Sequence, residues 1–104
     1  MNKPKEKGTR NEHYIVQLHL AEGIECKRVP GSGLFGKIDP ELFADIVIKG
    51  KLRGECKVRK QSQWKTIEKW LGSKDILFLR EDRKKPIVVM PWRTYLELIK
   101  NAIL

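Results

Sequence analysis

The sequence predicts a small α/β protein: one domain built on a mixed, largely antiparallel β-sheet flanked by helices. Three observations lead there. Apolar, β-branched runs at 43–48, 76–80 and 87–90 are short and bounded by turn residues or charges, as strands are. The stretches 11–22, 62–71 and the one opening at Pro91 carry apolar residues at helical spacing. A length of 104 residues is one domain's worth, enough to bury roughly two thirds of the surface that the unfolded chain exposes.

Taken in order, residues 1–10 are polar and basic and read as an N-terminal arm, with the domain proper expected over 11–104. A first helix is expected from Asn11, a suitable cap, to Glu22, with Gly23 ending it and Ile15, Leu18, Leu20 and Ala21 as its apolar positions. A short strand follows over Ile24–Val29. PGSGLFG at 30–36 is a glycine-rich loop, and Pro40 opens a helical turn through Leu42. FADIVI at 43–48 and LRGECKV at 52–58 are partner strands joined by Lys49-Gly50-Lys51. SQWKTIEKWL at 62–71 is helical, capped by Ser62, with Trp64, Ile67 and Leu71 on one face and Gly72 at its end. ILFLR, a charged turn and IVVM make a second pair of strands. The last helix starts at Pro91 and uses Trp92, Tyr95, Leu96, Leu98 and Ile99. The expected order is α-β-β-β-α-β-β-α.

The net charge is +9, from 22 Lys and Arg against 13 Asp and Glu. A small domain so basic is expected to seek a polyanion, nucleic acid first. An anionic membrane surface is disfavoured, because no stretch reads as a basic amphipathic helix and no apolar run approaches the ~20 residues of a membrane span. MNKPKEKGTR lacks the apolar stretch of a secretion signal, so a cytoplasmic protein with reduced Cys26 and Cys56 is expected. His13 and His19 lack the spacing and cysteine neighbours of a zinc site.

The hairpin at 43–58 concentrates the chemistry. With Lys49-Gly50-Lys51 as a three-residue loop, Ile48 pairs with Leu52, Val47 with Arg53, Ile46 with Gly54 and Asp45 with Glu55. Two carboxylates then face each other about 5 Å apart, a destabilising pair unless something neutralises them. Lys57, two residues past Glu55, points to the same face, while Cys56 between them points to the other and into the core. Two carboxylates and a lysine suit a hard divalent cation with oxygen ligands, Mg²⁺ or Mn²⁺. Such an ion lowers the pKa of a bound water and polarises a phosphodiester. The ordinary alternative is a solvated edge-strand Asp paired with a lysine.

FADIVIKGKLRGECK resembles the core of the PD-(D/E)xK nucleases: an Asp in a strand, a short turn, then Glu-x-Lys on the next strand. GTRNE, RVPGSG, ADIV and ECKV together resemble the archaeal-type Holliday junction resolvases and their viral relatives, over about residues 7–60. The resemblance implies a restriction-endonuclease-like core and a metal-dependent endodeoxyribonuclease that acts as a homodimer on four-way DNA junctions, in the cytoplasm of a cell or of a virus's host. It implies catalytic roles for Asp45, Glu55, Lys57, Glu12 and Ser32. Metal would be held by Asp45, Glu55, Glu12 and the backbone carbonyl of Cys56. Apart from the resemblance, Lys27, Arg28, Arg59, Lys60 and Gln63 read as phosphate contacts, and Ser32 is expected near the scissile phosphate. Ala44 stands where the family has proline, the segment LFGKIDPELF is longer than expected, and the chain is shorter at its C-terminus than most resolvases.

Each assignment has a plain alternative. Glu12 suits the first turn of any helix, Ser32 suits a turn, and the basic residues suit a solvated surface. Trp64, Trp70 and Trp92 are expected in packing or a dimer contact rather than as base-stacking platforms. Gly31 to Lys37 also matches G-x4-G-K, but Ile38 stands where a P-loop needs Ser or Thr, and Pro40 breaks the helix that should cradle phosphate, so no nucleotide cofactor is expected. The rival functions are a nuclease for nicked, flapped or duplex DNA, and a DNA-binding module without catalysis.

Overall fold

A computed structural model describes residues 4–29, 44–60 and 63–104. Its element order is the expected one: α1 (Pro4–Ala21), β1 (Cys26–Arg28), β2 (Ile46–Ile48), β3 (Leu52–Gly54), α2 (Lys65–Leu71), β4 (Leu77–Leu79), β5 (Ile87–Val89) and α3 (Trp92–Asn101). The protein is mixed α/β, but among the described residues the strands sort into two small antiparallel sheets instead of the expected single sheet. Residues 1–58 and 59–103 cluster as two units, each described by itself below. Ser32, the glycine-rich loop, the turn at Pro40–Leu42 and the Ser62 cap lie outside the described residues.

In the first unit, α1 begins at Pro4, taking in residues expected as a basic arm. Proline is at home in a first turn, whose N–H groups lack helical partners, and Glu6 complements the positive end of the helix dipole. The helix closes as expected at Gly23, whose φ of +75° suits glycine. Its last carbonyls are satisfied by Gly23 N–H on Leu20 O (3.0 Å) and Ile24 N–H on His19 O (2.9 Å), the two bonds of a Schellman end. The face turned inward is centred on Val16 and His19. Leu20 and Ala21, expected among the apolar positions, are exposed, because each successive residue turns ~100° around the helix and Leu20 follows the buried His19. His19 instead is the most buried polar side chain among the described residues, and its Nδ1 lies 2.7 Å from Ile15 O.

Helix α1 packs on β1, and the sheet runs β1-β2-β3. The hairpin register is the one read from the sequence: Ile46 with Gly54, Val47 with Arg53, Ile48 with Leu52. The turn works because Lys49 and Gly50 both take left-handed angles, φ +53° and +69°, and Lys51 N–H returns to Ile48 O at 3.1 Å. Cys26, Ile46 and Ile48 are buried on one face, together with Val16, Ile24 and Ala44. Gly54 is glycine for a packing reason: a Cβ there would stand 2.8 Å from Ile46 Cγ1.

In the second unit, α2 is shorter than expected, starting at Lys65, but presents the expected face, with Trp64, Ile67 and Leu71 half-buried and the residues between them exposed. Gly72 ends it, as expected, its N–H reaching Glu68 O. Strands β4 and β5 pair Leu77 with Val89, Phe78 with Val88 and Leu79 with Ile87. Helix α3 follows Pro91, buries Ile99 and packs the rings of Trp92 and Tyr95 5.2 Å apart. Arg93 ties α3 to the segment before β4, donating to the Asp75 carboxylate and, at 3.0 Å, to Lys74 O. No helix among the described residues is long and apolar enough to cross a membrane.

Candidate functional site

Asp45 stands one residue before β2, the central strand. Its main chain is held from both sides: its carbonyl accepts Val29 N–H and its N–H reaches Gly54 O, each at 2.9 Å. The second bond corrects the expected geometry. Gly54 already pairs with Ile46, so the ladder slips here and Glu55 is not drawn opposite Asp45. The expected strand 52–58 accordingly stops at Gly54. The cause is local. Asp45 Oδ2 accepts the Cys56 N–H at 2.8 Å, and a side chain that satisfies a backbone donor replaces the next rung of the sheet.

The alternation that sent the Cys56 side chain to the opposite face therefore ends before Cys56 is reached. Its thiol is half-buried and pushed up to about 11, first by burial and then by the negative charges of Asp45, Glu12 and Glu55, with a smaller contribution from Cys26. Three carboxylates from α1, the start of β2 and the segment after β3 thus act on one sulfur. The Cys26 thiol, in the core, is also raised by burial, and both cysteines are free.

Each carboxylate holds a donor. Glu12 on α1 accepts from Arg28 Nε of β1 at 3.0 Å, with the side chains 17% and 30% exposed. Glu55 Oε1 pairs with Lys57 Nζ at 3.2 Å, but both are more than half exposed and the pair contributes little to stability. Asp45 holds the Cys56 amide. Carboxylate oxygens are the hard ligands that Mg²⁺ or Mn²⁺ prefers, so the donor set fits such an ion in type. Among the described residues, no three His, Cys, Asp or Glu side chains are gathered closely enough to hold one in this arrangement.

The remaining sequence candidates scatter. Lys27 is exposed, and Arg28 is engaged by Glu12. Arg59, Lys60 and Gln63 are exposed and belong to the second unit. Trp70 is exposed, while Trp64 and Trp92 are half-buried within that unit. The Glu12–Arg28 pair and the Asp45–Cys56 amide bond were not anticipated. Opposite charges sixteen residues apart signal the first only once α1 is known to pack on β1, and side-chain capacity to accept a backbone proton was the cue for the second.

Compared with protein-family models, curated proteins and solved structures, the chain matches none.

Proposed function

We propose that this protein is a metal-dependent DNA endonuclease that hydrolyses phosphodiester bonds, of the PD-(D/E)xK type with a restriction-endonuclease-like core. Its best-fitting substrate is a four-way junction, cut by a homodimer whose two sites are related by a two-fold axis. The observation that carries the reading is the hydrogen bond from Cys56 N–H to Asp45 Oδ2, which ties the Asp of the first strand to the middle of the Glu-Cys-Lys tripeptide. The negative charges of Asp45, Glu12 and Glu55, all felt at the Cys56 thiol, support it, because each carboxylate offers a hard oxygen to a cation.

In this reading Asp45, Glu55 and the Cys56 carbonyl would hold Mg²⁺ or Mn²⁺, with Glu12 as a further oxygen donor. The ion, when bound, lowers the pKa of a water and polarises the phosphate. Lys57 stabilises charge developing on the phosphoryl oxygens. Lys27, Arg28, Arg59, Lys60, Gln63 and Ser32 hold DNA phosphates, consistent with the net charge of +9.

The test is cleavage of a labelled four-way junction and of a linear duplex, with Mg²⁺ and with EDTA. Asp45→Asn is expected to lower cleavage by at least ~10²-fold, about 2.7 kcal/mol of barrier, while metal-free binding holds level or tightens. Wild-type protein that binds junctions but cuts no DNA in Mg²⁺ or Mn²⁺ would leave a DNA-binding module without catalysis. Faster cutting of duplex or flapped DNA would keep the nuclease and replace the substrate.

A further inference from the structure

Residues 80–85, which join β4 to β5, are all charged and all exposed. Two contacts shape this turn: Lys84 Nζ pairs with Glu81 at 2.6 Å, and Arg80 Nε donates to Lys84 O at 2.7 Å. They leave the side chains of Arg83 and Lys85 and both Nη groups of Arg80 without a partner among the described residues. Arg83 sits at φ +65°, a left-handed angle that suits Gly or Asn, so an arginine there works against the preference of the backbone. Behind the turn, Phe78 and Val88 pair across the strands and so share one face. They are 63% and 47% exposed, and the Phe78 ring touches no other ring among the described residues.

We propose that the exposed face of the β4–β5 hairpin binds single-stranded nucleic acid, with Phe78 stacked on a base and Arg80, Arg83 and Lys85 on the flanking phosphates. An open ring beside unpaired cations matches a strand that alternates base faces with phosphates. The guanidinium forks suit phosphate oxygens, and the net charge of +9 draws a polyanion in. A duplex fits less well, because its base faces are already covered by their neighbours. A bilayer also fits less well: the charged turn ends the hairpin, so headgroups would stop it before Phe78 and Val88 reached acyl chains. The site lies wholly within the second unit and uses neither a metal nor the carboxylates, so it goes beyond the nuclease reading.

Fluorescence anisotropy of the full chain in EDTA tests the site, with labelled oligo-dT and oligo-U of about twelve nucleotides and a blunt duplex. Phe78→Ala is expected to weaken binding of one or both oligomers about tenfold, as loss of one stacked base does, and to leave the duplex unchanged. Phe78→Tyr is expected to keep oligomer binding and Phe78→Leu to lose it, which separates stacking from plain apolar contact. Arg83→Gly with Lys85→Gln is expected to flatten the fall of log K with log salt by about 1.4. Arg83→Gly is expected to leave the melting temperature level, since glycine accepts that backbone angle, so the loss is one of contact and not of fold. Asp45→Asn is expected to change none of these values. Oligomer binding that is indifferent to Phe78→Ala overturns the site and leaves the nuclease reading, which is tested by cleavage, untouched. With oligomer binding unchanged, Phe78-dependent binding to phosphatidylserine vesicles gives the face to a membrane and overturns the site. Phe78-dependent dimerisation in sedimentation, again with oligomer binding unchanged, gives the face to a second copy and overturns it equally.

Discussion

The two units bury their apolar residues unequally. In the first, Val16, Ile24, Cys26, Ala44, Ile46 and Ile48 lie buried between α1 and the three-stranded sheet. In the second, among the described residues, Ile99 alone reaches that degree of burial, while Phe78, Ile87, Val88, Leu98 and Trp70 stay exposed. A two-stranded hairpin is marginal without a layer packed against it, whereas a helix on a three-stranded sheet has a closed interior. The difference shows where this chain can hold side chains to a fixed geometry. The carboxylates of the candidate site sit at the edge of the well-packed unit, where a rigid scaffold can support chemistry.

The comparison is broken most directly in the core. Ile46→Ala is expected to cost ~2–5 kcal/mol in chemical denaturation, and Phe78→Ala no more than ~0.5 kcal/mol. Equal losses would show that the hairpin of the second unit is supported as firmly as the first sheet. Next in size is Gly54→Ala, expected to cost about 1–3 kcal/mol because the new methyl meets Ile46 Cγ1. A neutral result in the same melt would mean that Ile46 has room to turn away.

The smallest effect sharpens the site itself. With Cys56 pushed up to about 11, its alkylation by iodoacetamide at pH 9 is expected to lag well behind an ordinary thiol of pKa 9.0. Burial contributes most to that lag and stays in any variant. Asp45→Asn or Glu12→Gln removes part of the remainder, and each is expected to speed alkylation a few-fold by mass spectrometry. Unchanged rates would remove those carboxylates from the sulfur's surroundings. The sign of the accompanying stability effect follows: the fold prefers the protonated thiol, so the contribution is intact below pH 9 and is lost as pH rises from 9 toward 11.

Much of this was legible in the sequence where a local rule acts alone. Gly23 and Gly72 end helices because each helix end is followed by a position with positive φ. Lys49-Gly50-Lys51 set the β2–β3 register because loop length determines which residues face each other. What was not legible depended on one group competing with another. The pairing of Asp45 with Glu55 assumed that the ladder continues, and the Asp45 carboxylate took the amide that the next stretch of strand would have used. The inward face of α1 runs through His19, which apolar spacing does not mark, because the histidine can satisfy itself on the Ile15 carbonyl and be buried. Arg28 read as a phosphate contact because nothing in its neighbours along the chain announces Glu12.

The Cys56 amide also makes the protein its own instrument. An amide proton whose nitrogen lies 2.8 Å from the carboxylate oxygen that accepts it has an NMR resonance tuned to that oxygen's charge. Whatever draws on the Asp45 carboxylate, whether a proton or a divalent ion, is expected to shift this one peak more than those of amides bound to ordinary carbonyls, such as Val29 and Asp45 itself. A titration followed by ¹⁵N–¹H spectra would therefore separate occupancy of Asp45 from events elsewhere in the chain, with no probe attached and no substrate present.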